Sequence, residues 1–236
     1  MLMLKVNKLN AYYGESHILK DVSVTVDQGQ VVVMMGPNGH GKSTLLKSIC
    51  GLVEKVSGEI SYNGEDIIGS TANNIVNLGV IYIAENRELF PYMTVKDNLK
   101  LGAYSKNARV NEKKNMEWVA SLFPKLMERQ KQLASTMSGG EAKMLAIARG
   151  LMSDADLLFI DEPALGLQPS YRMDILEIIK EISKQGKTVF LAEQNIPQLT
   201  EMADKIYIME EGSISFEGSK DDALNNEDLK EIFLGL

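Results

Sequence analysis

One cysteine in 236 residues rules out any disulfide within the chain and fits a reducing compartment. Cys50 sits in the apolar run LLKSICGL (45–52) and is expected in the core. Long apolar runs are missing too. The strand-sized VVVMM at 31–35 is far short of a bilayer crossing, and MLMLKVNKLN at the N-terminus lacks the extended apolar stretch of a secretory signal. Positive charge is in deficit, with 25 Lys and Arg against 32 Asp and Glu, a net charge of −7. A protein that lives by gripping nucleic-acid backbone is usually basic, so that role starts at a disadvantage. Work at a membrane would have to pass through a partner. Internal repeats, low-complexity tracts and long linkers are absent as well, so nothing splits the chain into independent halves.

What remains is an ordinary globular composition, 44% hydrophobic and 24% charged, at a length that suits one α/β domain with an inserted lobe. The early part is β-rich. ILKDVSVTV (18–26) alternates apolar and polar residues, VVVMM reads as a buried strand, GEISYNGEDI (58–67) as a strand running into an Asn-Gly turn, and GVIYIAE (79–85) as another strand. From about residue 94 the pattern turns helical: TVKDNLKLGAY opens on a loose Thr94/Asp97 capping box, and NEKKNMEWVASLF (111–123) has helical spacing. Strands return at LLFID (157–161), KTVFLA (187–192) and KIYIM (205–209), separated by amphipathic helices such as YRMDILEIIKEIS. Strand–helix–strand alternation predicts a mainly parallel sheet covered on both faces, interrupted by a helical insertion.

Two segments look built to hold anions. GPNGHGKST (36–44) follows a buried strand and opens a helix, the context a P-loop requires. There Gly36, Pro37, Asn38, Gly39, His40 and Gly41 form a loop whose amides can face phosphate oxygens. Lys42 can reach the β- and γ-phosphates, and Ser43, followed by Thr44, offers a hydroxyl to Mg²⁺. A plain glycine-rich turn is the bland alternative, disfavoured by the full spacing and flanks. LLFIDEP (157–163) ends an apolar strand in two acids: Asp161 is placed to hold the Mg²⁺ shell, and Glu162 to orient or deprotonate an attacking water. Without the P-loop, the same acids would read as a polar turn.

The second grip is MSGGEAKMLAIAR (137–149). Ser138 and Glu141 make a capping box, and Gly139 and Gly140 expose backbone amides at the positive end of a helix. By itself this is helix punctuation. Together with the P-loop, it resembles the SGGE/SGGQ signature of the ATP-binding subunits of ABC transporters. The resemblance covers essentially the whole chain. It implies the ABC ATPase fold: a P-loop NTPase core at 1–86 and 153–236 with an N-terminal antiparallel β part, and a helical subdomain at 87–152 carrying the signature. It also implies that Ser138, Gly139, Gly140 and Glu141 grip the γ-phosphate of an ATP held by a second cassette, identical or homologous, in a head-to-tail dimer.

The same resemblance assigns Tyr13 to stacking on adenine and places Glu85 where most members have glutamine, beside the nucleotide and its metal. It puts Gln194 where most have a histidine that contacts the γ-phosphate, and Gln168 where a loop usually ends in aspartate. Glutamine can donate a hydrogen bond there but carries no positive charge. An ionised Glu85 adds negative charge near the metal. ENRELF, LGLQP, AEQN and a terminal IFLGL are similar to one branch, the ATP-binding subunits of branched-chain amino acid importers and the related urea and amide importers. Implied cofactors are ATP and Mg²⁺. Implied partners are transmembrane permease subunits and, through them, a substrate-binding protein, with no nucleic acid. The implied location is the cytoplasmic face of the membrane. Phe90, Tyr92 and Met93 are read as packing residues, although in the family this region receives a coupling helix of the permease. His40 is expected to face solvent, His17 to be a surface residue, and Arg149 and Arg172 to be structural. A non-hydrolysing ATP clamp beside a catalytic partner is the main rival reading. Soluble translation or repair relatives lack support: the chain holds one cassette and no long coiled-coil insertion. A small-molecule kinase would not need SGGE.

Overall fold

A computed structural model describes residues 1–194 and 197–226, so Asn195 and the terminal IFLGL lie outside the described residues. In chain order the strands are β1 (Leu2–Tyr13), β2 (Ser16–Asp27), β3 (Val31–Met35), β4 (Lys55–Tyr62), β5 (Glu65–Asp66), β6 (Val80–Ile83), β7 (Leu157–Asp161), β8 (Thr188–Glu193), β9 (Lys205–Glu210) and β10 (Ser213–Gly218). They form an antiparallel sheet in the order β2-β1-β4-β5 and a larger sheet in the order β10-β9-β3-β8-β7-β6. All pairings in the larger sheet are parallel except β9–β10. The mainly parallel core and the antiparallel N-terminal part both match the sequence reading.

Helix α1 (Lys42–Ile49) follows β3, and α2 (Ala72–Asn77) precedes β6. Between β6 and β7 the chain runs through α3 (Val95–Gly102), α4 (Lys106–Val110), α5 (Glu112–Leu122), α6 (Pro124–Glu128) and α7 (Gly139–Leu151), with no named strand among them. Then come α8 (Pro169–Lys184), α9 (Pro197–Thr200) and α10 (Lys220–Asn225). Thr94 caps α3 as its spacing predicts, its Oγ1 accepting from the Asp97 N–H at 3.1 Å. Among the described residues no helix is long and apolar enough to cross a membrane.

Alternation along the buried strands divides the interior in two. Val31, Val33 and Met35 of β3 join Leu158, Ile160, Val189 and Leu191 in a core shared with α3, α7 and α8. Val32 and Met34 point the other way, with Phe159, Phe190 and Tyr207, into a core closed by β1, β2 and α1. Strands covered on both faces are therefore apolar without a break, as β3 is and β7 is up to its closing Asp161. Phe159 and Phe190 meet edge-to-face in that second core, with centroids 5.6 Å apart. Phe159→Ala leaves a cavity there and is expected to cost about 3–5 kcal/mol, measured by denaturant unfolding.

Strand β1 escaped the sequence reading. Lys8 has φ 48°, and the pairing with β2 shifts register between Val6 and Leu9, which breaks the two-residue period that marks a strand. The Asn-Gly turn did form: Asn63 (φ 50°) and Gly64 (φ 85°) join β4 to β5. One packing expectation needs correction. Phe90 is 48% exposed and Tyr92 88% exposed, so neither fills a core; only Met93 is partly covered. The Phe90 ring lies instead under the Arg149 guanidinium, 5.9 Å away, on the surface beside α7.

Candidate functional site

The first anion grip is made where β3 hands over to α1. Gly36 leaves the strand at φ 153°, and a Cβ there would stand 2.2 Å from the Met209 carbonyl oxygen on β9, so only glycine fits. Gly41 sits at the α1 N-cap in the left-handed region, φ 108°, with no side-chain cap on the first turn. The amides of that turn are thus left for an outside acceptor. Lys42 is buried; its Nζ donates to the carbonyls of Gly36 (2.7 Å) and Pro37 (3.1 Å) and lies 3.8 Å from Glu162 Oε1. Burial lowers the lysine pKa, while Glu162, Asp161 and Glu193 push it back up.

Asp161 ends β7 and is buried. Its Oδ2 accepts from the Tyr82 hydroxyl at 2.7 Å, and burial foremost raises the tyrosine pKa, so that hydroxyl stays a donor. Glu162 follows with φ 43°, a strained left-handed conformation, held by its own N–H donating to the Ala192 carbonyl at 2.8 Å. Its carboxylate pKa is raised, first by burial and then by Glu85 and Asp161, against the pull of Lys42. Asp161 Oδ1 and Glu162 Oε2 are both buried with no hydrogen-bond partner among the described residues.

A cleft of about 250 Å³ brings the first set together: Asn38, Gly39, Gly41, Lys42, Ser43, Thr44, Glu85 and Glu162 line it. The orphaned Asp161 Oδ1 and the Ser43 hydroxyl are hard oxygen donors, of a kind that suits Mg²⁺. Among the described residues no cluster of three or more His, Cys, Asp or Glu is grouped to hold a metal alone. His40 departs from its expected solvent-facing pose. Its Nδ1 accepts from the Glu211 N–H at 3.1 Å and its carbonyl from the Gly212 N–H at 3.0 Å, pinning the loop to the β9–β10 turn. His17 is at the surface as read, hydrogen-bonded to Asn10 at 2.8 Å and stacked on Tyr12.

Other predicted residues lie apart from this cleft. Tyr13 ends β1, 49% exposed, and does not line it. Gln194 is exposed at the end of β8, its N–H donating to Glu193 Oε2 at 3.3 Å. Gln168 is the α8 N-cap but makes no side-chain cap bond. Cys50 is buried, and burial pushes its thiol pKa up, which removes it from thiolate chemistry.

The second grip is the start of α7. Ser138 Oγ accepts from the Glu141 N–H, and Glu141 Oε2 accepts from the Ser138 N–H at 2.9 Å, a complete capping box. Arg129 adds an ion pair to Glu141 at 2.7 Å. Gly140 is required for a packing reason: a Cβ there would stand 2.4 Å from the Tyr171 ring. At Gly139 a Cβ would stand 3.3 Å from the Arg87 guanidinium, the end of a flexible side chain that must yield slightly. The capping bond to Ser138, more than any charge, holds the Glu141 pKa below the ordinary value of 4.5. Glu141→Ala opens the capping box and the Arg129 ion pair and is expected to lose about 0.3–1.5 kcal/mol of stability at pH 7. A depressed folded pKa means this contribution is full above 4.5 and vanishes as pH falls through the folded value. Wild type and variant should converge in urea titrations once the pH is below that folded value.

Three residues of the site went unseen in the sequence. Tyr82 was counted only as part of a strand. Lys143 was taken as part of a helical run, although it is buried and donates from Nζ to the carbonyls of Glu85 and Asp161, both at 3.1 Å. Glu193 is buried at the end of β8; its Oε1 accepts from the Ala164 N–H at 2.9 Å, and burial raises its pKa to about 7. The available signal was an acid closing an apolar strand, FLAE, the same pattern that exposed Asp161. Arg149 is structural as expected, donating to the carbonyls of Glu88 (2.7 Å) and Arg87 (3.1 Å), both of which have positive φ.

The family described as ABC transporter matches residues 19–165. The chain is 42% identical over 233 residues to the "High-affinity branched-chain amino acid transport ATP-binding protein BraG" of Pseudomonas aeruginosa, covering 99% of this chain and 100% of that protein. It is 36% identical to the "Probable branched-chain amino acid transport ATP-binding protein LivF" of Archaeoglobus fulgidus, covering 99% of each. Among solved structures it is similar to the ADP conformation of an ATP-binding cassette of an ABC transporter, with TM-score 0.82 and 27% identity over 100% of both chains.

Proposed function

The chain belongs to the ABC transporter family, and from that membership we propose that it is the ATP-binding, ATP-hydrolysing subunit of an importer of branched-chain amino acids. The substrate class rests on likeness to two relatives named for branched-chain amino acid transport, together spanning nearly the whole chain. The hydrolytic role rests on one observation above the rest: Lys42, Ser43 and Glu162 line a single cleft, with Asp161 adjoining Glu162 in sequence.

In this reading ATP lies along the Gly36–Gly41 loop, its phosphates accepting from the loop amides and the α1 N-terminus. The Lys42 ammonium exchanges the Gly36 and Pro37 carbonyls for phosphate oxygens. Ser43 and Asp161 would hold Mg²⁺, with Glu85 nearby, and the ion would supply positive charge to offset the negative charge of the phosphates. Tyr82 keeps the Asp161 carboxylate oriented through its 2.7 Å hydrogen bond. Glu162 orients the attacking water and takes its proton, a task its raised pKa suits. Tyr13 stacks on the adenine and Gln194 donates to the γ-phosphate.

The α7 N-terminus with Ser138, Gly139 and Gly140 is a second phosphate grip outside that cleft, useful for an ATP carried by another cassette. Two cassettes arranged head to tail then clamp two nucleotides. Differential ATP contact between closed and open dimers is what can drive permease subunits. The helical segment 87–152 serves as the arm, at the cytoplasmic face of the membrane. The exposed Phe90, Tyr92, Leu101 and Tyr104 supply an apolar surface on that arm for a permease helix. ATP-driven uptake into vesicles carrying the chain with its permeases tests the reading. Valine, leucine or isoleucine should accumulate; accumulation of urea or an amide instead would move the chain to the neighbouring importer branch. Vesicles whose ATP hydrolysis requires a second, different cassette alone would favour the non-hydrolysing clamp.

A further inference from the structure

Lys143 is a buried cation whose place in the fold is unusual. It projects from α7, five residues after Ser138, and its chain is 3% exposed. Two of its three donors are used on main-chain carbonyls of two other segments, Glu85 after β6 and Asp161 at the end of β7, each at 3.1 Å. Four acids and one further cation surround this region: Glu193, Asp161 and Glu85 attract the lysine, Arg87 repels it, and the lysine acts in turn on Glu162. Lys143 also lines a cleft of about 210 Å³ together with Glu85, Asn86, Arg87, Glu162 and Leu165. Taking an ammonium out of water is costly unless its hydrogen bonds are met and its charge is matched. A methionine of similar volume would fill the same space in α7 without that cost, so packing alone gives no reason for a lysine here.

We infer that Lys143 is a positioning residue for ATP hydrolysis, fixing from the signature helix the main chain that carries Asp161 and Glu85. The reason is geometric. The β6–β7 ladder ends at Ile83 and Ile160, and charge-assisted hydrogen bonds to the two carbonyls hold Glu85, two residues beyond it, against the end of β7, and with it the separation of the acids that flank the metal and the water. The same side chain ties that spacing to the pose of α7, whose N-terminus carries Ser138–Gly140. In a head-to-tail dimer the signature of one cassette serves its partner's nucleotide, while Asp161 serves its own. Lys143 thereby joins the two nucleotide sites mechanically within one chain. Its positive charge also offsets the four acids, allowing Asp161 and Glu162 to stay close together at the cleft.

This inference rests on the ATPase reading, so the test carries an internal reference. ATP turnover, the KM for ATP and the thermal midpoint are measured for wild type, Lys143→Met and Lys143→Gln, each with Mg²⁺. Loss of a group that orients a metal ligand typically lowers activity about 10- to 100-fold. Lys143→Met is expected to show a kcat lower by that factor, with KM within about threefold and a thermal midpoint within about 4 °C of wild type. Lys143→Gln keeps two amide donors and loses the charge, so its kcat should fall between the two. A merely structural lysine would move the midpoint and leave kcat alone. Either folded variant with a wild-type kcat overturns the inference. Should Lys143→Met fail to fold, Lys143→Gln decides by the same criterion: a lowered kcat at unchanged KM supports the inference. A wild-type chain with no turnover, alone or in its transporter, overturns the ATPase reading and this inference with it.

Discussion

Glu162→Gln is expected to lower ATP turnover by about 10²- to 10⁴-fold while leaving ATP binding intact. The substitution is isosteric and removes the carboxylate's charge and its ability to accept a proton. Glu162 is held by its backbone rather than by its carboxylate, through the 2.8 Å bond from its N–H to the Ala192 carbonyl, so the amide should occupy the same place. Its Oε2 has no partner among the described residues, leaving that oxygen for a water. The lost carboxylate also removes a negative charge 3.8 Å from Lys42, which can only favour a bound triphosphate. Single-turnover hydrolysis and equilibrium ATP binding, measured on the same preparation, separate the two effects. Equal loss of both would mean that Glu162 shapes the pocket instead of taking part in chemistry.

Lys42→Ala has the opposite signature. Two charge-assisted hydrogen bonds to phosphate, at about 1.5–3 kcal/mol each, amount to about 10²- to 10⁴-fold in ATP affinity. The ammonium is already poised inside the loop, bonded to Gly36 and Pro37, so little ordering is needed for it to turn to a ligand. Removing it also leaves Glu162 buried without its nearest cation, which adds repulsion against a triphosphate. Titration of ATP by calorimetry should therefore show binding in Glu162→Gln and little in Lys42→Ala. The contrast matters more than either value, because a general loss of fold would weaken both together.

Much of this was legible in the chain. β3 is apolar without a break, and β7 up to its closing Asp161, because both faces are covered, and each ends at functional residues; a short buried strand followed by glycines or acids is a strong signal. The cap at Ser138 was legible because a capping box needs only local spacing. Tyr82, Lys143 and Glu193 were not. Their roles depend on which strand ends lie side by side, and the register that sets Asp161 against Ala192 on β8 is a tertiary fact. A lysine inside an amphipathic run is usually a solvated face, and only the packing of α7 against β6 and β7 buries this one. The exposed Phe90 and Tyr92 misled in the opposite sense, since aromatic residues between two segments are commonly core. Here the loop is held by Arg149 and by Asn98, whose Oδ1 accepts from the Phe90 N–H at 2.9 Å, and it presents its rings outward.

ATP-dependent association is the most direct measurement. Glu162→Gln, which should retain ATP, is mixed with saturating Mg²⁺-ATP, and its mass is followed by light scattering with and without the added change Gly139→Asp. A Cβ at position 139 meets only the end of the flexible Arg87 side chain, at 3.3 Å, and an acid at a helix N-terminus is tolerated by the free chain, yet it places negative charge where a neighbour's γ-phosphate must land. The expected result is a dimer for Glu162→Gln and a monomer, still binding one ATP per chain, for the double variant. A double variant that dimerises as readily as Glu162→Gln would contradict the sharing of each nucleotide between two cassettes.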